Sequence, residues 1–259
     1  MTAAVEFRNV SKQFPGTSHP ALDRVSLKIE AGELVTVLGT SGGGKTTFIK
    51  LINRLHDPDS GQVLVDGRDV QEADPVSLRR GMGCVIQQTG LFPHMTVCNN
   101  IATVPKILKW DRARIDARVD ELLALVGLDP AEFRDRYPAQ LSGGQQQRVG
   151  LARALAVEPD IMLFDEPFGA IDAITRSTLQ DELLAIHRGS GKTFIFVTHD
   201  VAEAMKLGTK VLVIDRGAVQ QYDTPERIQA QPANEFVRTL LSTGGWMAGR
   251  GFVSDGAAI

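Results

Sequence analysis

The chain has 259 residues, of which 43% are hydrophobic, so it is long enough for one large domain or two modest ones with a sizeable buried core. A net charge of −3 excludes the overall positive field that nucleic-acid-binding proteins use, and we expect no nucleic-acid partner. The sequence contains neither a signal peptide nor an apolar run of membrane-spanning length. If the protein works at a membrane, we expect a partner to hold it there.

The first predicted elements are strands. Residues 4–10 and 24–30 alternate apolar and polar side chains, and residues 33–39 are almost continuously apolar, as in a fully buried strand. A glycine-rich loop follows, and residues 46–57 then have apolar side chains at helical spacing. Residues 61–70 predict a hairpin that turns at Asp66 and Gly67, and residues 82–88 predict another short buried strand.

Helical patterns dominate the middle of the chain, from about residue 91 to residue 156. Buried strands then return at residues 160–167, 192–200 and 209–215, with helical segments between them. This alternation predicts a mainly parallel α/β core with the helical middle as an inserted lobe. A last strand precedes a helix with Thr224 as its N-cap, and the glycine-rich residues 243–259 are expected to form a flexible tail.

The two cysteines, Cys84 and Cys98, are too few for a disulfide framework and do not form a CxxC pair. We expect both to be small, buried, apolar residues rather than metal ligands or nucleophiles. Together with the overall composition, this is typical of a soluble globular enzyme.

The segment GTSGGGKT, from Gly39 to Thr46, matches the phosphate-loop pattern G-x-x-x-x-G-K-[S/T]. Its glycines allow backbone N–H groups to surround a phosphate, and the following helix adds the positive end of its dipole. Lys45 is predicted to reach the β- and γ-phosphates, and the Thr46 hydroxyl to bind Mg²⁺. The alternative, a flexible glycine turn, does not account for the lysine and threonine after it. The position between a buried strand and a helix therefore favours a nucleotide site.

Acidic side chains end the buried strand in IMLFDEP. Asp165 and Glu166 are expected at the carboxyl edge of the sheet, where ligands of open α/β sheets bind. Asp165 would hold Mg²⁺ and Glu166 would polarise the attacking water. The alternative is an ordinary acidic turn before Pro167. The strand's direction favours the functional interpretation, because the phosphate loop is expected at the same edge.

Two further strands end in polar residues that could face the same ligand. His199 ends TFIFVTH, and we predict that it contacts the γ-phosphate. Gln87 and Gln88 end MGCVIQQ, and either could coordinate Mg²⁺ or the water. The remaining histidines have no such context and are expected to be structural: His19, His56, His94 and His187.

A second stretch, LSGGQQQR at residues 141–148, also puts a serine and glycines at the start of a predicted helix. Taken alone, this stretch is typical either of an anion-binding helix N-terminus or of a glutamine-rich helix cap. The chain thus contains two candidate anion sites, and the first does not explain the second.

These motifs in this order resemble the nucleotide-binding subunit of ABC transporters. The resemblance covers about residues 5–242, and LSGGQ is its most specific piece because other phosphate-loop enzymes lack it. It implies an α/β fold with a P-loop NTPase (RecA-like) core, an N-terminal antiparallel β subdomain and an inserted α-helical subdomain at about residues 91–156. It also implies ATP and Mg²⁺ as cofactors.

The resemblance implies a role for each matching residue. Phe14 matches the aromatic that stacks on adenine, and the phosphates are wrapped by Gly39, Thr40, Ser41, Gly42, Gly43, Gly44, Lys45, Thr46 and Thr47. Gln87 matches the glutamine that touches Mg²⁺ and senses the membrane subunit, Asp165 the metal-holding aspartate, Glu166 the catalytic base, Asp172 the D-loop aspartate and His199 the switch histidine. Ser142, Gly143, Gly144 and Gln145 match the signature, which in the family's head-to-tail dimer caps the nucleotide held by the other copy.

A narrower likeness concerns the transported solute. Segments such as RYPAQLSGGQQQRVGLARALA and PANEFVR resemble importers for glycine betaine, choline, carnitine and related osmoprotectants. This likeness implies permease partners, indirectly a solute-binding protein, and a position at the cytoplasmic face of the inner membrane. The chain ends at Ile259, so we do not expect the paired CBS domains of larger relatives. It departs from the family pattern at Gly43, which we expect to loosen the phosphate loop slightly, and at Cys84 and Ile171.

Other functions fit the sequence less well. The importer could carry another small solute, such as an amino acid or a polyamine. A soluble ABC ATPase of DNA repair or translation is disfavoured, because only about 95 residues separate the phosphate loop from LSGGQ and one module fills the chain. A small-molecule phosphoryl-transfer enzyme would not need LSGGQ.

Overall fold

The computed structural model describes residues 3–86, 90–169 and 173–243. Its strands are β1 Ala3–Lys12, β2 Leu22–Glu30, β3 Leu34–Leu38, β4 Ser60–Val65, β5 Arg68–Asp69, β6 Met82–Val85, β7 Ile161–Asp165, β8 Thr193–Thr198, β9 Lys210–Asp215 and β10 Ala218–Asp223. Its helices are α1 Lys45–Ile52, α2 Pro75–Arg80, α3 Val97–Ile101, α4 Thr103–Ile107, α5 Arg112–Leu125, α6 Pro130–Phe133, α7 Gly143–Leu155, α8 Ala173–Ser190, α9 Val201–Leu207, α10 Pro225–Ala230 and α11 Glu235–Thr243, with a 3₁₀ turn at Pro138–Gln140.

The larger sheet has six strands in the order β10-β9-β3-β8-β7-β6. The five strands from β9 to β6 pair in parallel, and β10 pairs antiparallel with β9 at one edge. The parallel strands β3 and β8 are buried along their whole length, as expected for strands covered on both faces. The α/β prediction is confirmed, with the phosphate loop directly after the central strand β3.

A second, antiparallel sheet of order β2-β1-β4-β5 forms the N-terminal part of the chain. The predicted hairpin joins β4 to β5, and Asp66 (φ 50°) and Gly67 (φ 77°) both have the positive φ that a tight two-residue turn requires. The apolar side of this sheet packs against α1 and the larger sheet, with the rings of Phe7 and Phe48 stacked 4.4 Å apart. This packing fixes the helix that begins at the phosphate loop.

The helices from α3 to α7 lie within the segment where helical patterns predicted an inserted lobe. On α5, the predicted apolar face is buried through Ile115, Val119, Leu122 and Leu123. Gly127, the predicted stop, follows with φ 67°. Over the part of the chain that the structure describes, no helix combines the length and hydropathy needed to cross a bilayer.

The expectation that both cysteines are buried is wrong. Cys84 is exposed and Cys98 is only half-buried. Cys84 lies on β6, the edge strand of the larger sheet, so one side of it opens to a surface groove instead of a neighbouring strand. A short apolar run does not distinguish an edge strand from a central one.

Candidate functional site

Four parallel strands end together at one edge of the larger sheet. Leu38 of β3 pairs with Thr198 of β8, and Asp165 of β7 pairs with Val197, so these three carboxyl ends are in register. Strand β9 ends beside β3, with Leu38 paired to Val213. The residues that follow these strands therefore meet at one edge, as ligand-binding residues do in open α/β sheets.

Glycines allow the phosphate loop to approach other backbone segments closely. A Cβ atom at Gly39 would overlap the carbonyl oxygen of Ile214, and one at Gly44 would overlap that of Ala21. Gly44 is also the N-cap of α1, with φ 110° and without a side-chain cap. The first N–H groups of α1 are therefore not satisfied by a capping side chain, which leaves them available to an anion.

Lys45 begins α1 and is only 6% exposed. Its Nζ donates hydrogen bonds to the carbonyl oxygens of Gly39 and Thr40, both at 2.9 Å. Burial lowers the pKa of the ammonium, and the nearby carboxylates of Glu166 and Asp165 partly oppose that effect. The structure thus holds a desolvated cation at the start of the helix, directed into the loop.

The Thr46 hydroxyl and the Asp165 carboxylate are 3.1 Å apart, between Oγ1 and Oδ1. Burial raises the pKa of Asp165, and its hydrogen bond to Thr46 counteracts that effect. A partly desolvated carboxylate beside a hydroxyl is a donor set that suits a hard divalent cation, so the residues fit Mg²⁺. The described ranges contain no group of three or more His, Cys, Asp or Glu that could hold a metal by itself, so remaining ligands would have to come from elsewhere.

Glu166 follows β7 in a left-handed conformation, φ 48°, which is uncommon for a residue with a side chain. Its backbone N–H donates to the carbonyl of Val197 at 3.1 Å, which ties it to β8. Its Oε2 lies 3.3 Å from Nδ1 of His199, the residue that follows β8. The surrounding sheet thus imposes a strained backbone that brings this carboxylate to the histidine, and such strain is concentrated at functional sites.

A cavity of about 1300 Å³ opens at this edge. Its lining includes nine residues that the sequence predicted: Phe14, Ser41, Gly42, Gly44, Lys45, Thr46, Thr47, Glu166 and His199. Phe14 is half-buried, and its ring makes a T-shaped contact with that of His56 at 5.0 Å between ring centroids. The cavity thus combines an aromatic ring, the phosphate loop and the glutamate–histidine pair.

The same lining contains residues that the sequence analysis missed: Thr17, His19, Pro20, Ala21, Asp23 and Arg216. His19, which was expected to be structural, is thus part of the cavity lining. Most of these residues belong to the loop between β1 and β2, and Arg216 follows β9. The lining residues from Thr17 to Asp23 could have been suspected because they lie close to Phe14 in the sequence. Arg216 could not have been identified without knowing that β9 lies beside β3.

The stretch Ser142–Gln145 forms the start of α7. Ser142 Oγ accepts from the Gln145 N–H at 3.3 Å, and Gln145 Oε1 accepts from the Ser142 N–H at 2.9 Å, which makes a capping box. None of the four signature residues belongs to the lining of the cavity described above. Within one chain, the two candidate anion sites therefore do not share a pocket.

Helix α7 is nevertheless tied to the segment that carries the carboxylates. The buried Gln147 donates from Nε2 to the carbonyl oxygen of Pro167, the residue after Glu166. Arg148 pairs with Glu182 of α8 at 3.0 Å. The predicted site residues Gln87 and Asp172 lie outside the described residues, as do Gln88 and Ile171.

The chain is similar in sequence and in fold to known proteins. A glycine betaine/carnitine/choline transport ATP-binding protein of Bacillus subtilis is 49% identical over 92% of this chain and 62% of its own length. A glycine betaine uptake system ATP-binding protein of Escherichia coli is 50% identical over 92% of this chain and 76% of its own length. The chain thus spans about three fifths of the first relative and about three quarters of the second.

Among solved structures, a dimeric ATP-binding cassette in a post-hydrolysis state with ADP and Pi matches with a TM-score of 0.76. It is 35% identical and the match covers 85% of this chain and 98% of that one. A family model described as ABC transporter matches residues 22–169, more than half of the chain. The chain therefore belongs to the ABC transporter family.

Proposed function

We propose that the chain binds and hydrolyses ATP with Mg²⁺ and thereby powers an ABC importer. The observation that carries the proposal is the convergence, at one sheet edge, of a buried lysine at a helix start, a paired threonine and aspartate, and a glutamate that contacts a histidine. The partners in the Thr46–Asp165 and Glu166–His199 pairs come from different parts of the chain, so the arrangement depends on the tertiary fold.

The phosphate loop and Lys45 would bind the triphosphate. The uncapped N–H groups at the start of α1 would donate to phosphate oxygens, and the helix dipole favours their negative charge. Lys45 would exchange its two carbonyl acceptors for the β- and γ-phosphates. Phe14, which lines the same cavity, would stack on the adenine.

Thr46 and Asp165 would hold Mg²⁺, with Gln87 as a further contact. When bound, the ion neutralises charge on the phosphate oxygens. Glu166 would accept a proton from the attacking water, and its left-handed backbone directs the carboxylate into the cavity beside His199. His199, 64% exposed and 3.3 Å from Glu166, is free to orient toward a γ-phosphate.

The signature stretch would complete the site from a second copy in a head-to-tail dimer. Ser142 and Gly143 are exposed at the start of α7, where the helix dipole is positive. Because the residues of this stretch lie outside their own chain's cavity, an incoming copy would present Ser142 and Gly144 to the γ-phosphate. This arrangement explains why one chain contains two anion-binding motifs. Asp172 would lie at the same contact between copies.

The partners that we propose are the permease subunits of the importer and, through them, a solute-binding protein. A groove of about 360 Å³ beside α2, β6 and α4 has Phe92 and Val104 in its lining together with Arg79, Arg80 and Arg153. Apolar and cationic groups together suit an amphipathic segment of another protein. Bound there, the chain would sit at the cytoplasmic face of the membrane.

The proposed solutes are quaternary ammonium osmoprotectants such as glycine betaine, choline and carnitine. This part of the proposal is supported by the names of the two relatives above. Uptake of labelled glycine betaine at high osmolarity, compared with and without the gene for this chain, tests it. Equal uptake in the two strains would remove glycine betaine from the proposal without affecting the ATPase assignment.

The replacement Glu166→Gln tests the hydrolytic step. It keeps the size and hydrogen-bonding shape of the side chain but removes the base, so ATP should still bind while turnover falls by about a hundredfold or more. The variant should also accumulate as an ATP-bound dimer in size-exclusion chromatography. Glu235→Gln, an exposed glutamate on α11, is the matched control and should hydrolyse ATP like the parent chain. Near-normal turnover by Glu166→Gln would contradict its role as the base.

A further inference from the structure

The turn between β9 and β10 packs directly against the phosphate loop. The Gly217 N–H donates to the Gly43 carbonyl at 3.1 Å, and the Gly217 carbonyl accepts from the Asp23 N–H at 2.9 Å. Asp215 ends β9 and Arg216 forms the turn with φ 47°. This turn therefore bridges the phosphate loop and the segment that follows β1, both of which line the nucleotide cavity.

Asp215 makes a side-chain hydrogen bond from this turn to the phosphate loop. Its Oδ1 accepts a hydrogen bond from the Thr40 hydroxyl at 2.7 Å, although the two residues are 175 positions apart. The carboxylate side chain is only 17% exposed, and Nε of the neighbouring Arg216 is 3.9 Å from its other oxygen. A short bond to a partly buried carboxylate is among the stronger hydrogen bonds in proteins.

Thr40 links this contact to the lysine. Its carbonyl oxygen accepts from Lys45 Nζ at 2.9 Å while its hydroxyl is held by Asp215. The same carbonyl accepts from the Gly43 N–H at 3.1 Å, which closes the loop upon itself. The orientation of one residue, Thr40, thus connects Asp215 to the curvature of the loop and to the resting position of Lys45.

We propose that Asp215 is a positioning residue for nucleotide binding: through Thr40 it holds the phosphate loop in its binding shape before a nucleotide arrives. This inference rests on the proposed ATP-binding function and adds a residue beyond the sequence motifs. Without the contact, the glycine-rich loop keeps its backbone hydrogen bonds but loses the side-chain restraint on Thr40, and the cost of ordering that residue appears as weaker binding. Catalysis at saturating ATP involves groups that Asp215 does not touch.

Equilibrium binding of a fluorescent ATP analogue with Mg²⁺, measured under conditions without turnover, tests the proposal. Asp215→Ala should raise Kd about tenfold, whereas Asp215→Asn, whose amide oxygen still accepts from Thr40, should stay within about twofold of the parent chain. Asp181→Ala, which removes an exposed, ion-paired carboxylate on α8, is the control and should leave Kd unchanged. In hydrolysis assays the Asp215→Ala effect should appear in KM and not in kcat.

Thr40→Val removes the hydroxyl that donates the hydrogen bond to Asp215. This variant keeps the proposal testable if Asp215→Ala fails to fold. It should raise Kd as much as Asp215→Ala, and the double variant should be no weaker than either single one, since all three lack the same bond. Additive effects, or an Asp215→Asn variant as weak as Asp215→Ala, would overturn the proposal. A parent chain that bound no nucleotide would instead contradict the proposed function.

Discussion

Among single residues, Lys45 is proposed to be important for binding ATP, but its buried charge is expected to contribute little to the stability of the fold. The residue is only 6% exposed, and burial lowers the pKa of its ammonium group although two nearby carboxylates oppose that effect. The ammonium also donates to two backbone carbonyls. A buried cation is costly when its partners compensate incompletely. The residue is thus better suited to a triphosphate, whose charge would complete the compensation, than to the stability of the empty site.

Replacing Lys45 with Met should separate these two effects. Methionine fills the same space without a charge, so the unfolding free energy in urea should not fall, while Kd for ATP should rise about tenfold to a hundredfold. Lys50→Met, about one turn further along α1 and outside the cavity lining, provides the control for losing a positive charge from this helix. A Lys45→Met chain that lost several kcal/mol of stability would show that the lysine holds the fold rather than the ligand.

Glu203 offers a pH-dependent test within the core. It is 6% exposed, accepts from Gln180 Nε2 at 3.0 Å, and burial raises its pKa. Because the folded pKa lies above the unfolded one, this group favours folding below the unfolded pKa, and that contribution is lost as pH rises through the folded pKa. In the folded protein, burial therefore disfavours the ionised form of Glu203 relative to its protonated form.

Glu203→Gln should remove that pH dependence. Its amide cannot ionise but still accepts from Gln180, so its stability relative to the parent chain should increase as pH rises above the unfolded pKa of glutamate. Urea unfolding at several pH values measures the difference. Glu235→Gln, at an exposed position, should show no such trend. A constant difference across the pH range would mean that the Glu203 carboxyl does not titrate as its burial requires.

At the scale of elements, the start of α7 has a structural and a proposed binding role in the same side chain. Ser142 caps the helix through the reciprocal bonds with Gln145. Ser142→Ala should cost about 1 kcal/mol of unfolding free energy by loss of the cap. Ser142→Asp should restore that stability, because aspartate caps helices well, but should leave hydrolysis low, since its charge opposes the γ-phosphate.

Urea unfolding and ATP hydrolysis, measured on both Ser142 variants, distinguish the two roles. Recovery of hydrolysis together with stability in Ser142→Asp would mean that Ser142 is only a helix cap. A substitution at Gly143 would distinguish the two roles less clearly than one at Ser142. A Cβ atom at Gly143 would meet no neighbour, but alanine there would also change the helix propensity of the first turn.

How much of the site could be predicted depended on sequence separation. The phosphate loop and the Asp165–Glu166 pair were predictable, because each lies in a short segment with its own strand and turn pattern. The contact between Glu166 and His199 required β7 and β8 to be neighbours, which alternation of strands and helices suggests but does not prove. The Thr40–Asp215 bond was not predictable, since the order β9-β3-β8 leaves no local pattern.

At the scale of the whole molecule, the cavity proposed to bind the nucleotide does not include the signature stretch of the same chain. The lining of the cavity comes from the phosphate loop, Glu166, His199, Arg216 and the segment after β1, whereas Ser142 belongs elsewhere. The proposed dimer brings the missing group from the other copy, related by twofold symmetry, so that each of two sites uses both chains. Turnover per chain should therefore rise with protein concentration, and a folded monomer should bind ATP weakly without hydrolysing it.

Mixing two impaired variants, at an ATP concentration too low to saturate Lys45→Met, provides the most direct test of this composite site. Lys45→Met damages the phosphate loop and leaves the signature intact, whereas Ser142→Asp does the reverse. In an equimolar mixture that exchanges freely, about half of the dimers contain one of each, and each of these has one undamaged site. Hydrolysis should recover to about a quarter of the parent activity if the two sites work independently. If each chain used its own Ser142, the mixture would stay inactive at every concentration, because every site would then carry one of the two defects.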